Sequence, residues 1–211
     1  MTRRETLRRF AVFTVGALVC AMGIGFITRA GLGTSPISSL PFVLSLITPV
    51  SMGVYTLSFN LFFLLCESLL TRRFTPAQAL QIPVTLLFSL CVDIALRLIP
   101  SRYGGPLADS VAYLLLGCIV MSLGIYLEIL ADIIMLPGEA FVRALSRRTG
   151  GGFGNVKVGF DSCLAAIAAI VALCAFGRLN GVGAGTAFSA LTVGQMVKVW
   201  GRLHRQIQKH H

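Results

Sequence analysis

Long apolar stretches alternate with short polar turns along most of this chain. An α-helix rises about 1.5 Å per residue, so roughly 20 apolar residues are needed to cross a hydrocarbon core of about 30 Å. Six stretches meet this length, at residues 9–29, 52–70, 77–99, 109–131, 154–176 and 184–201. The pattern therefore predicts an all-α integral membrane protein with six transmembrane helices.

Two shorter elements begin at prolines, which suit the first turn of a helix. Residues 36–48 are apolar but too few to span the membrane. A second short helix opens at Pro137 and is amphipathic, with Arg143 and Arg147 on its polar side. Each short helix is predicted to be re-entrant or interfacial.

The same order of elements occurs twice: a long helix, a short helix that begins at proline, and two more long helices. A shift of 101 residues pairs Gly23 with Gly124, Pro36 with Pro137 and Asn60 with Asp161. Three spans per copy would place the second copy upside down in the membrane. We therefore predict two inverted repeats, residues 1–100 and 101–211, in one compact membrane domain. Inverted repeats are a transporter architecture with a site at the repeat interface.

Composition agrees with the membrane assignment and sets an orientation. The chain is 55% hydrophobic and 12% charged, about half the charge of a soluble domain. Its net charge of +10 comes from 18 basic and 8 acidic residues. With both termini inside, 14 of those 18 basic residues lie at the inner side and 4 outside. The positive-inside rule then explains the excess of basic residues without a nucleic acid partner.

The stretch 23–36, GIGFITRAGLGTSP, ends the first span and begins the first short helix. Gly31 and Gly33 permit backbone conformations closed to other residues, and Thr34 or Ser35 is predicted to cap the helix. The N–H groups of that helix would face an anionic or polar group nearby. The alternative is a plain interhelical turn, which glycine-rich stretches commonly form.

Charged residues within the predicted spans are costly, at about 2.5–3.5 kcal/mol each near a span centre. Asp93 and Arg97, and likewise Lys157 and Asp161, are four residues apart and share one helix face. Such pairs either neutralise themselves and lock the bundle, or line a polar cavity. Asn60, the repeat mate of Asp161, favours the cavity.

Glu128 and Asp132 are like charges four residues apart, which is unfavourable unless one is protonated or a cation lies between them. This arrangement allows a coupling-proton or cation site, although Glu128 could instead reach interfacial water at the end of its span. The predicted solute-binding residues are Gly31, Gly33, Thr34, Ser35, Asn60, Asp93, Arg97, Glu128 and Asp161.

The sequence carries no pattern typical of an enzyme, so we expect no catalytic residues. His204, His210 and His211 all lie in the C-terminal tail, and there is no Walker motif. The six cysteines lie in apolar runs without metal-ligand spacing. We expect neither a metal nor another cofactor.

Three segments resemble a known family: GLGTSP at 31–36, LPGEAFVRAL at 136–145 and GVGAGTAFS at 181–189. They look like the YczE/YitT-like family of uncharacterised bacterial multispanning membrane proteins, over nearly the whole chain. The resemblance implies a multi-pass protein of the bacterial cytoplasmic membrane. The layout is also similar to the substrate-capture subunits of energy-coupling-factor vitamin transporters, which depend on a separate ATPase.

These observations predict a small-molecule membrane transporter, or the substrate-binding subunit of one, with its site at the repeat interface. The alternative is a non-transporting membrane scaffold or biosynthetic accessory protein, in which the charges within the spans are structural. Expected partners are the lipid bilayer and a small polar or anionic solute. A separate energising subunit and a homodimer both stay open.

Overall fold

The computed structural model describes residues 3–209, which form α-helices joined by short turns. In chain order the helices are α1 (Arg3–Arg29), α2 (Pro36–Ile47), α3 (Met52–Thr71), α4 (Pro76–Leu98), α5 (Leu107–Ala131), α6 (Pro137–Thr149), α7 (Phe153–Phe176) and α8 (Ala184–Lys209). His210 and His211 lie outside the described residues.

Within residues 3–209, five helices are long and apolar enough to cross a membrane: α1, α3, α4, α5 and α7. The chain is therefore a multi-pass helical membrane protein. The sixth predicted span, 184–201, lies in α8, which has 26 residues but is not one of these five apolar helices. Gln195 and Lys198, together with several small and hydroxyl residues, lower its apolar character.

The two short helices begin where the prolines predict. Pro36 opens α2 and Pro137 opens α6, each in the first turn of its helix. Proline is tolerated there because the first N–H groups of a helix have no partner within it. Gly150 ends α6 in the left-handed conformation, with a φ of 71°, which glycine adopts without steric cost.

The centre of the bundle is a close antiparallel contact between α1 and α5. Gly16 lies against Gly124, and Gly23 lies against Gly117 and Met121. A Cβ atom at any of these four glycines would meet the backbone of the opposite helix. Small residues are used in this way in membranes because they let helix backbones approach closely.

The remaining helices surround this contact in pairs. The helix α4 packs on α1 and α8 packs on α5, while α2 contacts α7 and α6 contacts α3. The main buried apolar cluster follows the α1–α5 contact and includes Ala21, Ile24, Ile27 and Cys118. This packing leaves space near the start of α6, where the cavities described next are found.

Candidate functional site

A large cavity of about 580 Å³ opens between the ends of α3 and α5 and one face of α6. Its wall is strongly charged for a membrane protein. Among the described residues, the acidic side chains that line this large cavity are Glu67, Glu128, Asp132 and Glu139, and the basic ones are Arg143, Arg147 and Arg148. The volume is in the range of small-molecule sites, which are about 300–1,000 Å³.

A small cavity of about 60 Å³ lies deeper, among α1, α2, α3, α5 and α6. Its wall is largely apolar, with Ser38, Thr56 and Asn60 as neutral polar groups. Glu128 and Glu139 line both the small and the large cavity. The two carboxyl groups therefore lie at the boundary between the cavities. The small cavity has room for a few water molecules and not for a metabolite.

Glu128 lies in the last turns of α5 and has only 5% of its surface exposed. Its Oε1 atom has no hydrogen-bond partner among the described residues. A buried carboxylate without partners is costly because water no longer solvates its charge. A buried carboxyl oxygen without a partner therefore belongs to a residue at the boundary between the cavities.

Glu139 lies in the first turn of α6 and is partly buried. Burial raises its pKa above the ordinary glutamate value; the nearby Lys157 ammonium lowers that pKa and the Asp161 carboxylate raises it further. The charge of Glu139 also acts on Glu128. At the boundary between the cavities, both the loss of solvating water and the presence of a second carboxylate therefore make a negative charge unfavourable.

Of the predicted site residues, Asn60 and Glu128 line a cavity. Asn60 is buried in the middle of α3, and its side chain forms no hydrogen bond with the described residues. Its amide is therefore available to a molecule in the small cavity.

The turn of residues 31–36 lines neither cavity. Gly31 and Gly33 have φ values of 77° and 116°, so both conformations favour glycine. The turn packs against the start of α8, where the Gly185 N–H donates to the Leu32 carbonyl oxygen at 2.8 Å. The sequence predicted that a solute reaches these residues, but neither cavity extends to them.

The hydroxyl groups of this turn are also used differently from the prediction. Ser35 is the N-cap residue of α2, but its side chain makes no capping bond and instead donates to the Ser38 hydroxyl at 2.9 Å. The hydroxyls of Thr34 and Thr28 are hydrogen-bonded to each other at 2.6 Å. The prediction of a side-chain cap is therefore wrong, because these buried hydroxyls satisfy one another.

The predicted pair of Asp93 and Arg97 is not formed. Asp93 instead accepts from the Ser51 hydroxyl at 2.5 Å and from the Gly53 N–H at 2.7 Å. A carboxylate at this place satisfies the N-terminus of α3 and its dipole. Arg97 is exposed and pairs with none of the described residues. Neither side chain lines either cavity.

The second predicted pair is confirmed. The Lys157 ammonium lies 2.8 Å from the Asp161 carboxylate, and both side chains are largely buried. The pair lies next to Glu139 but not in the wall of either cavity. It therefore neutralises two charges within α7 and adds to the electrostatic surroundings of the site.

Glu139 was missed by the sequence reasoning. Two signals could have identified it. It is an acid in the first turn of a short helix that begins at proline, and the shift of 101 residues places it opposite Ser38, another residue of the small cavity. Both positions that this shift pairs thus carry a polar residue.

Five apolar helices and a charged cavity at the ends of α3 and α5 define a multi-pass membrane protein with a candidate binding site. The chain belongs to DUF6198, a family of unknown function, whose profile matches residues 7–202. It is also 23% identical over 145 residues to the uncharacterised protein YyaS of Bacillus subtilis (strain 168), covering 67% of this chain and 71% of that protein. No solved structure matches. The resemblance to the YczE/YitT-like family predicted an uncharacterised family, and these matches support that part of the prediction.

Proposed function

We propose that this protein is a small-molecule membrane transporter, or the substrate-binding subunit of one, with its solute site in the large cavity. The observation that carries the proposal is a cavity of about 580 Å³ whose wall holds both carboxylates and arginines. Charged side chains inside a membrane protein are expensive and usually mark a pathway or a site. A purely structural bundle would gain by filling this space with apolar side chains.

The charges of the large cavity favour a small polar solute with an anionic group. Glu139, Arg143 and Arg147 follow one another at intervals of one turn along α6. Residues four apart share a helix face, so α6 offers a carboxylate and two guanidinium groups in a row. Arginine binds carboxylates and phosphates with paired hydrogen bonds, and the acidic groups suit hydroxyl or amine donors.

Helix packing supports the inverted-repeat part of the proposal. The shift of 101 residues pairs each helix of one half with a helix of the other. Under this pairing the contact of α1 with α4 corresponds to that of α5 with α8, and the contact of α2 with α7 corresponds to that of α6 with α3. The Gly16–Gly124 contact likewise corresponds to Gly117–Gly23. In this proposal α8 is the sixth span, both termini lie inside, and the site faces the interface of the repeats.

The test is a thermal-shift screen of small polar metabolites on the purified protein. A solute at about 100 times its Kd stabilises the folded state by about 2.7 kcal/mol, because it binds that state alone. We expect at least one solute with an anionic group to raise the melting temperature. Its uptake into proteoliposomes that contain the protein then separates a transporter from a binding subunit.

Two arginine variants locate the site. Arg143→Ala removes a guanidinium from the large cavity, whereas Arg97→Ala removes an exposed guanidinium outside both cavities. We expect solute affinity to fall about tenfold or more in Arg143→Ala, because one charged hydrogen bond contributes about 1.5–3 kcal/mol. Arg97→Ala should bind like the wild type. Equal affinity in all three proteins would place the site elsewhere, and an absence of any binding solute would favour a non-transporting scaffold.

A further inference from the structure

We propose that Glu128 and Glu139 form a proton-binding site, in which the two carboxyl groups hold one proton between the large and the small cavity. This inference deepens the proposed function, because a proton bound there would couple to solute bound in the large cavity. The site itself does not require a solute and can be tested without one.

The geometry of the boundary carries the proposal. Glu128 is 5% exposed and lines both cavities, and its buried Oε1 atom has no hydrogen-bond partner among the described residues. The second carboxylate, from Glu139, enters the same wall from a different helix. Two carboxyl groups that line the same cavities, one of them buried, do not both ionise easily, and one proton between them removes the repulsion and supplies a donor.

The surrounding charges do not neutralise this pair. The large cavity adds the carboxylates of Glu67 from α3 and Asp132 after α5, and α6 adds Arg143, Arg147 and Arg148. The other elements contribute the Cys20 thiol from α1, Ser38 from α2 and Gln81 from α4. The nearest ammonium, that of Lys157 on α7, is held by Asp161 at 2.8 Å.

A metal ion fits this place less well than a proton. Na⁺, Ca²⁺ and Mg²⁺ need about six oxygen ligands. No group of three or more His, Cys, Asp or Glu side chains among the described residues is arranged to hold a metal. The small cavity is lined mainly by apolar groups such as Ile24, Met121 and Leu136. A proton requires only the two carboxyl groups themselves.

The experiment is infrared spectroscopy of the purified protein near pH 7, with the glutamates labelled at the carboxyl carbon. A glutamate with its ordinary pKa of about 4.3 is ionised at this pH. We expect the wild type to show the carbonyl stretch of one protonated glutamate per chain, shifted by the label. The band should be lost or moved in Glu128→Gln and in Glu139→Gln.

The matched control is Asp132→Asn, which removes an exposed carboxylate of the large cavity and should leave the glutamate band unchanged. The proposal is overturned if the wild-type spectrum shows no protonated glutamate. This result is measured on the wild type alone, so it does not depend on whether a variant folds. A band that persists unchanged in both glutamine variants also overturns it. The proposal is also overturned if the protonated-glutamate band emerges only when sodium is replaced by a bulky organic cation. In that case sodium, and not a proton, occupies the site when it is present. None of these outcomes decides whether a solute binds.

Discussion

The two turns that open the short helices differ sharply, although the sequence shift of 101 residues pairs them. The Pro36 turn, residues 31–36, is uncharged apart from the backbone dipoles, and its hydroxyls are buried and hydrogen-bonded within the protein. The Pro137 turn, residues 132–137, and the helix after it line a large charged cavity. The Pro36 turn is therefore a packed end of the bundle, whereas the Pro137 turn and α6 form an open, charged end.

The difference comes from a few residues that differ between positions paired by the shift of 101 residues. Thr34 and Ser35 correspond to Met135 and Leu136, and Ser38 corresponds to Glu139. At the Pro36 turn the start of α8 covers the backbone, where Gly183 and Gly185 lie against the Leu32 carbonyl group. The comparison teaches that the space open to a small molecule lies beside the Pro137 turn and not beside the Pro36 turn.

The largest expected effect comes from filling the packed turn. Gly33 has a φ of 116°, and a Cβ atom there would meet Thr186 and Gly183. We expect Gly33→Ala to lower the free energy of unfolding by about 3 kcal/mol, because backbone strain and overpacking add. Thermal unfolding in detergent measures the loss.

The control for Gly33→Ala lies at the open end. Gly150 has a φ of 71°, but a Cβ atom there would meet nothing within 4 Å. Gly150→Ala should therefore cost only about 1 kcal/mol, the cost of a left-handed conformation without a clash. If the two variants lost equal stability, the contacts of the Gly33 site with Thr186 and Gly183 would add nothing to the cost of the left-handed conformation.

A smaller effect is expected at Asp93, which lies at the same end as the Pro36 turn. Asp93→Ala removes the acceptor of two hydrogen bonds, from the Ser51 hydroxyl and the Gly53 N–H. Hydrogen bonds to charged groups contribute about 1.5–3 kcal/mol, so we expect a loss of about 2 kcal/mol in the free energy of unfolding. Solute affinity should not change. Reduced affinity with unchanged stability would reverse the assignment and make Asp93 part of the site.

The smallest expected effect is a dependence of stability on pH, which we expect to arise from Glu139 at the open end. Burial raises the pKa of Glu139, so the folded protein holds a proton that the unfolded chain has already released. Stability should then fall as pH rises from about 4.3, the ordinary glutamate pKa, to the raised pKa of Glu139, by less than about 1.4 kcal/mol per pH unit. Melting temperatures across this range measure the slope.

Two variants assign this slope. Glu139→Gln should flatten it, because the neutral amide has no proton to lose. Asp132→Asn alters an exposed group and should keep the wild-type slope. If the stability of Glu139→Gln falls with pH as steeply as that of the wild type, another acid is responsible.

Local signals in the sequence predicted the elements and one of the two charge pairs. The prolines at 36 and 137 mark the starts of α2 and α6 because proline suits the first helical turn and hinders any later one. The Lys157–Asp161 pair forms as predicted because residues four apart always share a helix face. The sixth span was predicted from length, which does not measure how apolar α8 is.

Tertiary structure decided which polar groups face a cavity. Asp93 binds Ser51 and Gly53, about 40 residues away, in place of Arg97 on its own helix, because a helix N-terminus offers donors that are already aligned. The start of α8 buries the Pro36 turn. Glu139 lines the same cavities as Glu128 because α6, which packs on α3 and α7, places its first turn near the end of α5. Sequence periodicity fixes the face of a helix on which a residue lies, whereas the packing of the helices against one another determines what that face meets.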